Sequence, residues 1–371
     1  MKTADEASAE AIQTLFLYFI AIQDTMTSRE LFLQTLRREQ KDYVPLFPRD
    51  LTLGMDMLDI RTGEIFDGKY DSKLSAECVL RLQGFLGSDA TVGCIFSYSL
   101  ESFGGTIKYA DKGIPYASVY PFADPENIDG HEPSEIRIGI MEGMRNASEI
   151  VRKKRPDLAL LSNVPGPVTM AGFARGLETL MMDFLTDEKL AEKILGFCTE
   201  AVTEQMKYTS EDLADGVFFA SASDNPDMVG DEGFKKYSLK NMEKINKDVH
   251  SAGLLSIYHP HGVFSTDDRQ HLLRDSLKTG IDGFQFAEGN EPEGIIEVCG
   301  DKCAILGGVT SYTTLLLGPE KRIIKDTDRY LSALEDYYYI MTCSCSLNRG
   351  QPLDHLKIMA DHVHEYNGGK A

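Results

Sequence analysis

The chain has 371 residues, 42% apolar and 26% charged, which suits one large barrel or two ordinary domains and excludes a disordered or fibrous protein. Its 58 acidic against 38 basic side chains leave a formal charge of -20; such a surface repels phosphate backbones and anionic lipid, which argues against nucleic acid and membrane as partners. Seven cysteines, an odd number scattered from Cys78 to Cys345, form no secreted disulfide framework and fit a reducing cytoplasm.

The first apolar stretch, Ile12 to Ile22, is too short to span a bilayer and lacks a small-residue cleavage site. It reads as a helix in an N-terminal extension covering residues 1–26. Thr27-Ser28-Arg29-Glu30 has capping-box spacing ahead of Leu31, Leu33 and Leu36, and marks the start of a compact domain over residues 27–371. Beyond it, short apolar runs suited to buried parallel strands alternate with segments of helical period. The strand candidates are residues 44–48, 90–97, 159–163, 216–223, 254–258, 283–287, 304–309 and 338–342. Helical stretches at 74–86, 134–154, 177–206, 234–252, 267–279 and 321–334 fall between them. Eight strands with intervening helices and no linker predict an α/β fold, a single closed (β/α)8 TIM barrel. No GxGxxG follows the first strand to favour an open doubly wound sheet.

A barrel of this kind carries its chemistry at the C-terminal ends of the strands. Those ends offer Arg49, Tyr98, Glu101, Asn163, Asp224, Asn225, His259, His261, Glu288, Ser311, Tyr312 and Cys345. In His259-Pro260-His261-Gly262, residues two apart share a face of an extended backbone, so both imidazoles can converge on one ion. Pro260 stiffens the pair and Gly262 permits the turn away; on the residues alone, two loop histidines read equally well. Cys345 follows the last strand in Thr342-Cys343-Ser344-Cys345-Ser346. A third ligand there completes the arrangement of catalytic zinc, three protein ligands and one open position. Cys343 competes for that place, and buried packing is the alternative for both. Cys299 and Cys303 precede a strand and are assigned to packing, and His355, His362 and His364 to the surface of a terminal helix.

Several segments in order carry a wider likeness: the opening at Thr27 to Glu30, Asp42-Tyr43-Val44-Pro45, Glu101 to Gly105, Asn163 to Thr169, Phe286 to Asn290, Ile305 to Val309, and Cys345 to Pro352. With them the chain resembles the uroporphyrinogen decarboxylase superfamily, and within it the cobalamin-dependent methyltransferase branch, over about residues 27 to 367. In that branch a His-x-Cys-Gly motif is joined by a cysteine followed seven residues later by proline. Cys345 and Pro352 keep that spacing, which favours Cys345 over Cys343, whereas His261 stands where the branch has cysteine.

The resemblance implies Zn2+ held by His259, His261 and Cys345. With one thiolate instead of two the site carries a formal charge of +1 and is the stronger Lewis acid. The first expectation is therefore demethylation of a methylated small molecule such as a methoxy aromatic, the methyl passing to Co(I) of a separate corrinoid protein. Glu101, Asp224 and Glu288 are the candidates for catalytic work, and Tyr98, Asn163, Tyr258, Phe286 and Tyr312 for substrate binding. The alternatives are transfer from a methylcorrinoid to a thiol of coenzyme M type, decarboxylation of uroporphyrinogen, and a non-catalytic barrel scaffold. Decarboxylation suits the chain poorly, because a lone Arg49 stands where that anionic substrate needs several cations. By the same resemblance, the corrinoid is expected to arrive on a partner protein docked over the mouth.

Overall fold

Thr27 starts the first described helix, α1 (Ser28–Leu36), with the capping box read from its sequence: Glu30 N–H donates to Thr27 Oγ1, and Thr27 N–H to Glu30 Oε2. The computed structural model describes residues 26–111 and 115–370; the apolar stretch assigned to an N-terminal helix lies outside them. Ser28 Oγ donates to Asp89 at 2.7 Å, Arg29 N–H to the Asp157 carbonyl at 2.7 Å, and the Arg29 guanidinium pairs with Asp215. These three partners precede three neighbouring strands, so α1 closes the N-terminal end of the barrel.

Seven parallel strands follow in the order β1 (Ala90–Val92), β4 (Ala159–Pro165), β5 (Gly216–Ser221), β6 (Leu255–Pro260), β7 (Gly283–Gln285), β8 (Ala304–Val309) and β9 (Tyr339–Cys343). The eighth stave is the segment around residues 44–50. Phe47 N–H donates to the Met341 carbonyl at 2.8 Å and Met341 N–H to Pro45 at 2.8 Å, while Asp89 N–H reaches the Leu46 carbonyl at 2.9 Å on the other side. Pro45 and Pro48 have no N–H to offer a ladder, which is why this stave shows isolated bridges, Leu46 to Met341 and Asp50 to Leu347. It joins β9 to the start of β1 and closes the (β/α)8 barrel.

Helices α2 (Gly63–Phe66) and α3 (Ser72–Leu86) precede β1, and α4 (Ile140–Lys154) precedes β4. Then come α5 (Pro167–Arg175), α6 (Leu177–Thr186), α7 (Glu188–Ser210), α8 (Pro226–Gly233), α9 (Lys240–Ser251), α10 (Gln270–Lys278), α11 (Pro292–Cys299), α12 (Thr314–Leu317), α13 (Glu320–Ala333) and α14 (Leu353–Lys370). A small antiparallel hairpin, β2 (Thr106–Lys108) with β3 (Tyr116–Val119), lies between β1 and α4. Three departures from the sequence reading are local. The stretch 177–206 is two helices, because Asp187 leaves helical geometry and caps α7 through the Leu190 N–H. The stretch 134–154 is helical only from Ile140, after a 3-10 turn at Pro133–Arg137. The hairpin and α5 are additions within the connections.

Strand alternation divides the core in two. Phe47, Val92, Ala159, Leu161, Phe218, Ile257, Ala304, Leu306 and Ile340 fill the barrel and meet Phe32, Leu33 and Leu36 of α1. Their neighbours, such as Leu160, Tyr258 and Ile305, point out to the helices. Apolar layers thus fill the N-terminal part of the interior, and polar side chains are left to the C-terminal mouth. No described helix is long and apolar enough to cross a membrane.

Candidate metal centre

Because Ile257 faces the interior, alternation along β6 turns His259 inward too, and Tyr258 outward. His259 is 1% exposed, and its Nδ1–H donates to the Gln285 carbonyl at 3.1 Å. That bond fixes the tautomer and leaves Nε2 as the ligand atom; Nε2 is buried with no protein partner. Burial holds the imidazole below its ordinary range, in the neutral form a metal needs. Gly262 then adopts φ 109°, and a Cβ there would lie 2.6 Å from Asn225 Oδ1, so the turn after His261 requires glycine.

Cys345 comes off the end of β9. Its backbone is clamped by one side chain: Cys345 N–H donates to Ser311 Oγ at 3.1 Å, and Ser311 Oγ–H to the Cys345 carbonyl at 3.2 Å. Cys345 Sγ lies 3.6 Å from His261 Nε2, and the ligand atoms of His259, His261 and Cys345 all lie within 4.8 Å of one another. Burial alone would push the thiol up. The closeness of the His259 and His261 imidazoles and the charge of Arg49 outweigh it and hold Cys345 well below the usual thiol range. Two imidazoles and a thiolate on one spot fit a zinc ion, with room for a fourth ligand. Cys343, by contrast, faces the layer between strands and helices with Tyr339 and Met341, and burial pushes its thiol up.

Around the centre stand Arg49, Asn163, Tyr98 and Tyr312. Arg49 is 3% exposed, donates from Nη1 to Asn163 Oδ1 at 3.1 Å, and lies 4.6 Å over the Phe218 ring. Burial lowers the Arg49 guanidinium against the raising charge of Cys345, and Arg49 Nε and Asn163 Nδ2 are buried donors without a partner. Burial raises Tyr98 to about 12, with Arg49 lowering and Cys345 raising it, which places its hydroxyl among these charges. Its ring stacks on Phe173 at 3.7 Å. Tyr312 accepts from Asn348 Nδ2 at 3.2 Å and feels the same two charges.

The three carboxylates occupy different settings. Glu288 Oε1 accepts from the Tyr312 N–H at 3.2 Å and from Ser344 Oγ at 3.3 Å, at the rim beside Cys345. Glu101 opens a 3-10 turn that ends on the buried Phe103, and partial burial raises its carboxyl against hydrogen bonds that include Tyr109. Asp224 is fully buried and caps α5: Val168 N–H reaches Oδ1 at 3.2 Å, and the Thr169 N–H and hydroxyl reach Oδ2 at 3.0 and 2.9 Å. Tyr258 and Phe286 lie in the layer between strands and helices, Phe286 against Tyr330 with ring centroids 5.9 Å apart, and not at the mouth. Cys299 and Cys303 are buried at the opposite, N-terminal end of β8.

Gln285 is the functional residue that sequence reading passed over. Its carbonyl holds His259, and its side chain donates from Nε2 to the Cys343 carbonyl at 2.8 Å, so one residue of β7 ties the two ligand-bearing strands together. The signal was present: Gln285 is an amide inside the apolar run Gly283 to Ala287.

The large apolar residues exposed among the described residues are Tyr116, Val119, Tyr120 and Ile138 between β1 and α4, Met182 and Leu185 in α6, Met228 in α8, and Tyr312 and Leu317 after β8.

Fold and site define a (β/α)8 barrel with a candidate three-ligand metal centre at its C-terminal mouth. The uroporphyrinogen decarboxylase (URO-D) family matches residues 27–366, nearly the whole described chain, and the protein belongs to that family. It is 26% identical over 257 residues to the methylcobamide:CoM methyltransferase MtaA of Methanosarcina barkeri, covering 68% of this chain and 72% of that protein. To the methylcobamide:CoM methyltransferase MtbA of Methanosarcina acetivorans it is 22% identical over 263 residues, 69% and 75% of the two chains. Among solved structures, a methyltransferase from Methanosarcina mazei superposes with a TM-score of 0.78 at 21% identity, over 92% of this chain and 99% of that one, and shares the fold.

Proposed function

We propose that this protein is a metal-dependent methyltransferase that moves a methyl group from a corrinoid on another protein to a thiol acceptor. The observation that carries the reading is the convergence of His259, His261 and Cys345, ligand atoms within 4.8 Å of one another, at the open end of the barrel. Both relatives are named for methylcobamide and CoM, which favours the thiol reading over the demethylation first expected from His261.

Zn2+ bound by these residues supplies the Lewis acidity that turns a thiol into a thiolate near neutral pH. The protein's own part is placement. Gln285 presents His259 Nε2, Ser311 seats Cys345, and Arg49 Nε with Asn163 Nδ2 offers two buried donors to an anionic group on the acceptor. Tyr98 and Tyr312 wall the space between. In the reaction a C–S bond forms as the Co–C bond breaks, and the electron pair of the broken bond stays on cobalt as Co(I).

The test is incubation of the zinc-loaded protein with methylcobalamin and a panel of thiols, following loss of the Co–C bond and appearance of thioether. Transfer only from methoxylated aromatics or methylamines to Co(I), never to a thiol, would overturn the reading in favour of demethylation. A preparation made without chelator is expected to hold about one zinc per chain, lost in His259→Ala and Cys345→Ala. Absence of zinc from the unaltered protein overturns the centre itself.

A further inference from the structure

We propose that the apolar stretch Ile12 to Ile22 of the chain's own N-terminal extension seats in a cleft at the end of the barrel opposite the metal centre. The proposal stands apart from the methyltransferase reading, and the stretch lies ahead of the family match, which begins at residue 27.

The cleft is a cavity of about 960 Å³ built where helices end and strands begin. One face of α1 supplies Arg29, Leu33 and Arg37 at helical spacing, while Leu213 to Asp215 lead into β5 and Ala252 to Leu254 into β6. Leu33, Leu213 and Leu254 are buried and form its floor, and Ile138, 65% exposed, follows Arg137 at the rim. The walls are basic on an acidic protein. Arg29, Arg37, Arg137, Arg152 and Lys207 line the cleft against Glu211, Asp212 and Asp215, whereas the whole chain has 38 basic and 58 acidic residues. Part of that charge is met within the fold: Arg137 pairs with Glu204, and Lys207 Nζ lies 3.7 Å from Asp248. Arg29 and Arg152, however, share the one carboxylate of Asp215, and Arg37 stands exposed at the end of α1.

The sequence ahead of α1 has the matching character. Ile12, Leu15, Phe16, Phe19 and Ile20 recur at helical spacing, and Leu17, Tyr18 and Ile22 widen the apolar face, so a groove suits the stretch better than a flat surface. Asp5, Glu6, Glu10 and Asp24 stand to either side of it, against Lys2. Acidic flanks on an apolar run thus meet basic walls around an apolar floor. The tether commits the occupant to this end. An extended chain covers ~3.3–3.6 Å per residue, so Ile22 stays within ~25 Å of Arg29, which itself lines the cleft. A segment tied so closely acts at an effective concentration on the order of millimolar, ahead of a second copy that would bring its own charge of -20.

Phe16→Trp in the full chain tests this, because the protein has no tryptophan of its own. The expected result is a blue-shifted emission, shielded from acrylamide and independent of protein concentration. Adding Arg37→Glu with Arg137→Glu is expected to raise the quenching constant about twofold or more, while Arg37→Lys with Arg137→Lys leaves it low. Ala252→Glu, at an exposed position on the same lining, is the second variant and should act in the same direction with far-UV circular dichroism unchanged. Emission and quenching equal to those of free tryptophan in the otherwise unaltered chain overturn the proposal, as does shielding that none of these substitutions moves. Shielding that fades on dilution, together with a dimer in sedimentation, also overturns it, since the stretch would then sit on another copy.

Discussion

Replacing Asp224 by alanine and by asparagine separates a capping role from a catalytic one. Its two oxygens accept the Val168 N–H at 3.2 Å, the Thr169 N–H at 3.0 Å and the Thr169 hydroxyl at 2.9 Å, with no exposure to solvent. Alanine leaves two buried backbone donors at the start of α5 without a partner, at about 1–3 kcal/mol each. The Thr169 hydroxyl loses less, since it still accepts the Ser223 N–H at 2.9 Å. Water reaching the gap recovers part of the total, so a net loss of about 3 kcal/mol is expected. Asparagine keeps one oxygen in place, and because burial already raises this carboxyl toward its neutral form, its cost is about 1–2 kcal/mol. The chain has no tryptophan, so urea unfolding is followed by circular dichroism, with zinc content and methyl transfer measured on the same samples. Capping predicts midpoints in the order wild type, asparagine, alanine, with turnover per folded, zinc-loaded chain within about twofold of wild type. An alanine variant as stable as wild type but inactive would refute the reasoning and return Asp224 to the chemistry.

Gln285→Leu deprives the Cys343 carbonyl of its donor and loosens the tie between β7 and β9; zinc affinity, read by competition with a chelating dye, is expected to fall about tenfold or more, and unchanged affinity counts against a positioning role. Arg49→Met removes the buried cation beside Cys345. KM for an anionic thiol is expected to rise far more than KM for a neutral one, and equal effects would remove Arg49 from acceptor binding. Asp50, 4% exposed, is raised by burial to about 7, above its unfolded value of 3.8. Its contribution to stability is therefore present in full below pH 3.8 and is lost as pH rises through about 7. Asp50→Asn should gain on wild type in urea midpoint between about pH 4 and 7, and a constant gap over that range contradicts the shift.

Much of the fold was legible because its signals are local. The Thr27 capping box, the apolar runs and the helical periods each depend on residues a few positions apart, and they reappear in the structure with some bounds changed: 90–97 is a strand only over Ala90–Val92, 134–154 is helical from Ile140, and 177–206 is divided at Asp187. The convergence of His259 and His261 was legible for the same reason, since residues two apart on a strand share a face. Cys345 was not separable from Cys343 by spacing within the chain; the likeness to known sequences made that choice, and the structure sets Cys345 beside His259 and His261 and turns Cys343 outward to the helices.

The rest depended on contacts between distant segments. Strand parity shows that Tyr258 and His259 point opposite ways, but which of them faces inward is decided by the closed sheet. Phe286 is outward for the same reason, against Tyr330, far along the chain. Asp224 looked like any acidic strand end until the start of α5, 55 residues away, was placed beneath it. Sequence alone determined the barrel, the candidate ligand pair at the end of β6 and the types of group available at the mouth, because periodicity and side-chain chemistry are carried by neighbours. Tertiary structure alone decided which of those groups meet: Gln285 bridging the strands that lead to His259 and Cys345, and Arg49 set beside Cys345 with its Nε lacking a partner. Proximity across a closed sheet follows from strand order, register and inward parity together, and no short stretch of sequence contains all three.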